Sequence, residues 1–372
     1  MNNGLRLVVG ILLWGWTSVV SGVEQPHLVW EALNGNTRVY LIGSIHALHQ
    51  DDYPLPGAMS EAYRRAERVV FEIDFSEVTE VSVSTLSTRH GLYRRNESIR
   101  DHLSAENYRK LSRYFVENNL GPTPDQAKPW LFSTTLLQTE LSKLGLRGDL
   151  GVDSHFYGRA LNESKPVSGL ETLALQYSVL SGQDPERQIA DLEQFLDSSS
   201  EMLKQEVIKI FDVWRAADEK ALIDAYQELL KEDPGFFDLL LTKRNLSWMP
   251  QIEEFLSPTD STDTLVVVGA LHMVGELGLI NLLRNQGYDV ERFPRSPDGI
   301  PAPEFTNIAQ NGATWTLSMN IEIGRSYTLQ SSTDLNSWAD EQVLFADDQE
   351  FKLDWTPSAP LTDSVFFRLR TP

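Results

Sequence analysis

The sequence predicts an α+β or α/β fold: a central mixed sheet built from strand-rich N- and C-terminal parts around a helical insertion, then a small C-terminal β-sandwich. Three observations carry this. A β-branched apolar run ending in Gly-x-x-His occurs twice, as Val39-Tyr40-Leu41-Ile42-Gly43-Ser44-Ile45-His46 and as Leu265-Val266-Val267-Val268-Gly269-Ala270-Leu271-His272. Between the copies, from about Ser104 to Phe255, apolar residues recur at helical spacing. Beyond Pro303 the period becomes two.

His27–Ala32 and Thr37–Ile42 read as a hairpin across the turn Asn34-Gly35-Asn36. A Pro- and Asp-rich loop follows, Gln50–Pro56, then a short helix, Met59–Ala66, and a strand, Arg68–Asp74. In the helical middle Tyr108, Leu111 and Phe115 share one face, as do Ile210, Trp214, Ala217 and Ala221. Pro166-Val167-Ser168 is an apolar island leading into Gly169-Leu170-Glu171. The second Gly-x-x-His strand feeds a helix, Gly275–Gln286, closed by Gly287, and Tyr288–Phe293 is a last strand. Residues 295–303 read as a linker, and 304–372 as a sandwich of five to seven strands, with Trp315, Leu317 and Met319 alternating with polar residues. If the two Gly-x-x-His strands meet, the chain returns to its first sheet after a long excursion.

Residues 1–22 resemble a secretory signal: Arg6 in the basic segment, Leu7 to Val20 apolar, Val20-Ser21-Gly22 near the cleavage point. The expected location is therefore the bacterial periplasm or the exterior, with no integral span after cleavage. The 372 residues contain no Cys, which removes disulfides, thiolate ligands and Cys nucleophiles. A net charge of −21 argues against a nucleic-acid partner.

Open α/β sheets collect ligands at the carboxyl ends of strands. Two imidazoles delivered there point to one site, and imidazole is a common transition-metal ligand. His46 and His272 supply two groups, and Glu72, interrupting the apolar strand Val69–Ile73, is the expected carboxylate third. Period two puts Asp74 on the face of Glu72. Glu171 follows a short strand and a Gly, as the histidines do, or is a first-turn helix carboxylate. Asp153, in Gly151-Val152-Asp153, is a further candidate polar position beside a turn, or a helix cap before His155–Leu161. Arg244 is a carboxylate clamp or oxyanion stabiliser, or a solvated helix-end cation. His49 pairs with His46 as His-x-x-His but reads as a loop residue.

Val39–His46, Tyr53-Pro54-Leu55-Pro56, Phe71-Glu72-Ile73-Asp74, Gly151-Val152-Asp153, Lys165–Thr172, Arg244-Asn245 and Val268–His272 with Gly287-Tyr288 resemble the TraB/GumN family in order and spacing, over about residues 27–294. The catalytic domain expected on this basis spans 23–294, and the β-module lies outside the match. The resemblance implies a relation to Tiki-type metalloproteases, and more loosely to pheromone-shutdown proteins, the erythromycin-esterase fold and ChaN-like haem-iron proteins. By that resemblance His46 and His272 are metal ligands or catalytic bases, Glu72 is their acidic partner, and Glu171 and Arg244 are support residues. The expected function is an exported metal-dependent hydrolase acting on a peptide or protein. His46, His272 and Glu72 would hold Mn²⁺, Co²⁺ or Zn²⁺, Glu171 or Asp74 would be the general base, and Arg244 would stabilise the tetrahedral intermediate. There is no His-Glu-x-x-His helix. Two alternatives stand beside it: a non-catalytic binder of metal, haem or peptide, and a metal-free esterase-like hydrolase with His46 as base.

Overall fold

The computed structural model describes residues 25–259, 262–295, 303–311, 314–333, 335, 337–357 and 365–370. The expected signal segment 1–22, and all but the ends of the linker 295–303, lie outside the described residues.

Six strands form the main sheet: β1 (Val29–Asn34), β2 (Thr37–Ser44), β3 (Arg68–Ile73), β4 (Val167–Glu171), β5 (Thr264–Gly269) and β6 (Asp289–Arg292). Their order is β4-β3-β5-β2-β1-β6. The four strands from β4 to β2 run parallel, while β1 pairs antiparallel with β2 and β6 with β1. The return is therefore real, and the returning strand β5 enters between β2 and β3. Parallel strands need helices over both faces, and their side chains read as unbroken apolar runs. Val39 to Ile42 and Leu265 to Val268 are accordingly buried throughout.

Helices fill the middle of the chain, from Ala105–Glu117 to Lys243–Phe255, interrupted by β4. Tyr108, Leu111 and Phe115 do share a face, and with Phe132, Leu136 and Leu192 they make a second apolar cluster. The expected face of Ile210, Trp214, Ala217 and Ala221 is displaced. Val207, Phe211 and Trp214 are the buried residues of the Ser200–Ala216 helix, and Ile210 is exposed. Trp214 sets that rotation, because its Nε1 donates to Gly43 O at 3.0 Å and pins the helix to the end of β2. Ala217 leaves the helix in the left-handed conformation, so the periodic reading overran the element.

Other boundaries moved less. The first helix is Gly57–Arg65, and the expected helix from Gly275 starts later, as Leu279–Asn285. Gly275 has φ +89°, which a helix interior cannot hold, while Gly287 at +88° closes the helix as expected. The C-terminal module is two three-stranded antiparallel sheets. Its strands are β7 (Glu304–Asn311), β8 (Thr314–Asn320), β9 (Ser326–Ser332), β10 (Ala339–Phe345), β11 (Glu350–Trp355) and β12 (Phe366–Arg370). It has its own core around Leu317, Met319, Tyr327, Leu329 and Trp355, while Ile323 and Phe345 pack on the main core.

Register brings the site together. Ser44 lies beside Gly269, Gly43 beside Val268, Phe71 beside Val267, and Ile73 beside Glu171. All four parallel strands thus end within a residue or two of one line. Gly169 makes this possible at β4, since a Cβ there would lie 2.3 Å from Asp74 N. Backbone cannot yield as a side-chain tip can, so Gly169→Ala should cost about 3 kcal/mol, the upper part of the usual overpacking range. A urea denaturation midpoint equal to wild type would show that β3 and β4 are not held this closely.

Candidate functional site

His46 stands just beyond β2, its ring open to solvent with the side chain 71% exposed. What holds it is Asp153, the second residue of the Val152–Asn162 helix. Val152 N donates to Ile45 O at 3.0 Å, and a Cβ on Gly151 would lie 2.4 Å from His46 O, so only glycine lets this helix start so near the strand. Asp153 is buried, and its oxygens divide the work. Oδ1 accepts from Ser44 Oγ at 2.7 Å, and Oδ2 pairs with His46 Nδ1 at 2.8 Å. An ionised carboxylate only accepts, so Nδ1 carries the proton and Nε2 is the reactive nitrogen. Among the described residues nothing hydrogen-bonds Nε2. The Asp153 charge raises the ring to about 9, against the cost of desolvation and with help from Glu72.

Beside this open pair lies a closed ion cluster. Glu72, on β3, is buried among three donors: Gly269 N reaches Oε1 at 2.8 Å, while Gln176 Nε2 at 3.1 Å and Arg244 Nη2 at 2.6 Å reach Oε2. Arg244 also binds Glu171 through Nε at 3.0 Å and Nη2 at 2.7 Å, and Trp248 Nε1 donates to Glu171 Oε2 at 3.2 Å. The remaining guanidinium nitrogen, Nη1, bonds Leu240 O and His272 Nε2, each at 3.0 Å. Arg244 comes just after a π-helical turn, Asp238–Thr242, that runs into the Lys243–Phe255 helix. Such turns insert a residue and re-aim the side chains of the next turn, and they gather at functional sites.

A guanidinium has no lone pair to offer, so its bond to His272 fixes the tautomer. Nε2 accepts, and Nδ1–H donates to Asn245 Oδ1 at 2.6 Å. The Asn245 amide is oriented by donating to Leu277 O at 2.8 Å. Burial, with the Arg244 and His46 charges, drives His272 down to about 3 against the pull of Glu72, so the ring is neutral. Burial alone would raise the Glu72 carboxyl, but the Arg244 and His46 charges and the Gly269 N–H hold it well below the usual carboxylate range. With His272 neutral, Arg244 is the neighbouring cation that matters most. Glu171 goes the other way: burial raises it despite its Arg244 bonds.

Of the residues expected from sequence, His46, His272, Glu72, Glu171 and Arg244 meet at one edge of the sheet. Glu171 has a side chain only 1% exposed and serves to hold Arg244. Asp74 stands apart, capping its own turn by accepting from Ser76 N at 2.8 Å. His49 is a loop residue. Asp153 is not the expected cap: Gly151 occupies the cap position, and the Asp153 carboxylate is spent on Ser44 and His46. Asn245 and Trp248 were not read as site residues. Their signal was their spacing, one and four residues after Arg244 on one helix. Ser44 and Gln176 carry no pattern that would have singled them out.

The proposed metal trio does not fit a divalent ion as it stands. The Nε2 lone pair of His272 is taken by a guanidinium N–H, and the same guanidinium occupies Glu72 Oε2. Among the described residues no three His, Asp or Glu side chains are spaced to hold a metal. Charge is another matter. Glu72 and Glu171 share one guanidinium while Asp153 pairs with His46, so three carboxylates stand against two cationic groups and the site carries an excess of negative charge.

The TraB/PrgY/gumN family matches residues 28–292, which takes in every site residue above and leaves the β-module outside. The chain is 27% identical over 281 residues to the Escherichia coli (strain K12) protein named "Uncharacterized protein YbaP", covering 73% of this chain and 99% of that one. The Shigella flexneri protein of the same name gives the same identity and coverage. No solved structure matches significantly. The chain belongs to the TraB/PrgY/gumN family.

Proposed function

We propose that this protein is an exported hydrolase of amide or ester bonds, with peptides the first substrate class, and that His46 is the group that handles the proton. The observation that carries this is the His46–Asp153 pair: a carboxylate-oriented imidazole whose second nitrogen is open to solvent at the carboxyl end of a parallel sheet. The residue 1–22 pattern supports export, and no helix among the described residues is long and apolar enough to cross a membrane.

The protonation state decides what His46 does. The Asp153 charge raises the His46 pKa to about 9, so the charged ring is favoured at pH 7. At neutral pH the ring is a donor, suited to polarising a substrate carbonyl or protonating a leaving group. As pH rises through 9 it becomes a base for water. Arg244 is buried and paired on every side, so its part is to keep Glu72 charged and in place.

A second reading, metal-dependent peptide hydrolysis, is favoured by the excess negative charge. It requires Arg244 to give up His272 and Glu72 to Mn²⁺, Co²⁺ or Zn²⁺. Dialysis against EDTA separates the readings. Hydrolysis that survives supports metal-free chemistry at His46, and hydrolysis lost and then restored by one of these ions replaces it with the second reading.

His46→Gln should lower hydrolysis of a peptide and nitrophenyl-ester panel by at least about a hundredfold. The thermal midpoint should fall modestly below neutral pH, where the pair with Asp153 contributes, and converge on wild type above pH 9; a variant with full activity ends the proposal. Asp153→Asn should move the His46 ring titration, followed by NMR, from about 9 towards the ordinary value near 6.5. The stability sign is fixed by the raised pKa. The pair's contribution is fully present below about 6.5 and is lost as pH rises through 9, so the variant's deficit should shrink at alkaline pH. Arg244→Met leaves two buried carboxylates without their cation and should cost about 3–5 kcal/mol in urea denaturation. A near-neutral result would show that Glu72 and Glu171 do not depend on it.

A further inference from the structure

The β-module meets the family-matched part of the chain around two arginines. Arg284, on the Leu279–Asn285 helix, has a side chain only 7% exposed. Its Nε donates to Val290 O and its Nη1 to Gly324 O, each at 3.0 Å, so a single side chain grips both parts. Among the described residues Nη2 has no such partner: Glu322 Oε1 stands 4.0 Å away, beyond hydrogen-bond reach. Arg325 repeats the situation from the module side. Its Nε is bonded to Glu322, but its Nη2 is buried with no hydrogen bond among the described residues, and Glu291 Oε1 is 3.6 Å away. Ser326 is buried as well, and it lines the same space.

These three side chains line one cleft of about 220 Å³, with Tyr288 and Asp289 at its wall. That is smaller than the usual drug-sized ligand pocket, roughly 300–1,000 Å³. Glu322 and Glu291 offset part of the guanidinium charge without satisfying these N–H groups, so the cleft is short of acceptors. Burial, with the like charge of Arg325, brings Arg284 down to about 10 despite the nearby glutamates. Two guanidinium edges and a hydroxyl converging on a small space form a donor set matched to the several lone pairs of an oxyanion.

We infer that this cleft binds a small oxyanion of phosphate size, held between Arg284 of the main domain and Arg325 and Ser326 of the module. Such a ligand completes the hydrogen bonding of both arginines and ties the module to the helix that precedes β6. It lies outside the His46 site, so it reports on module docking and leaves hydrolysis at His46 unchanged.

The test is a titration of the full chain with inorganic phosphate, at ionic strength held constant with chloride, read by calorimetry and by the thermal midpoint. Wild type should bind saturably and rise in midpoint. Arg325→Gln and Ser326→Ala should each weaken binding at least tenfold. Ser326→Ala removes only a hydroxyl and leaves every arginine ion pair in place, so it keeps the test decisive should Arg325→Gln disturb module docking. Wild-type protein with no saturable response beyond the chloride control, or a Ser326→Ala variant with undiminished affinity, overturns the inference.

Discussion

A buried carboxylate must have a cation, and at this site the cation is Arg244. Its side chain is withdrawn from water and divides its donors among Glu72, Glu171, the Leu240 carbonyl and His272. Each of those partners comes from a different segment, so one guanidinium fixes β3, β4, the π-helical turn and the short Ala270–Met273 helix relative to each other. Ion pairs of this kind contribute little net stability over apolar packing, yet breaking one is costly. Their effect is to allow one arrangement. The open His46–Asp153 pair is built against that fixed wall, which explains how an exposed imidazole can stand in a reproducible place.

The two histidines answer the same sequence pattern in opposite chemical states. Both come after a Gly at the end of a parallel strand. His46 meets a carboxylate in an open setting and is pushed towards the charged form, whereas His272 meets a guanidinium in a closed one and is pushed towards the neutral form. A difference of this sort suits the rings to distinct work: under the proposed function, proton handling for His46 and positioning for His272.

Much of this is legible in the residues alone. Uninterrupted β-branched runs do mean buried parallel strands, and the repeated Gly-x-x-His locates the edge where they end. The strand assignment of Val69–Ile73 makes Glu72 anomalous, and the structure resolves the anomaly with three donors. What the pattern could not reveal was partner choice. Asp153 looks like a helix cap because a carboxylate after a glycine ordinarily caps, and only the close approach of Gly151 to the His46 backbone redirects it. Likewise Arg244 looks equally suited to solvent or clamp, since one π-helical turn decides which way it aims. Helix rotation around Trp214 escapes the periodic reading for a similar reason: a long-range bond to Gly43 O outweighs local periodicity.

Strand β5 has a consequence for how the molecule comes into being. It occupies the middle of the parallel set, yet it is encoded by residues 264–269, after nearly the whole helical insertion. While the ribosome is still producing the preceding part, β2 and β3 have no neighbour to bond between them, and their apolar edges stay unpaired. Sheets closed by such distant pairings form slowly, and their incomplete forms are prone to sticking. Late arrival of the central strand thus leaves the β1–β2 hairpin and the β3–β4 pair as separate pieces until residues 264–269 join them.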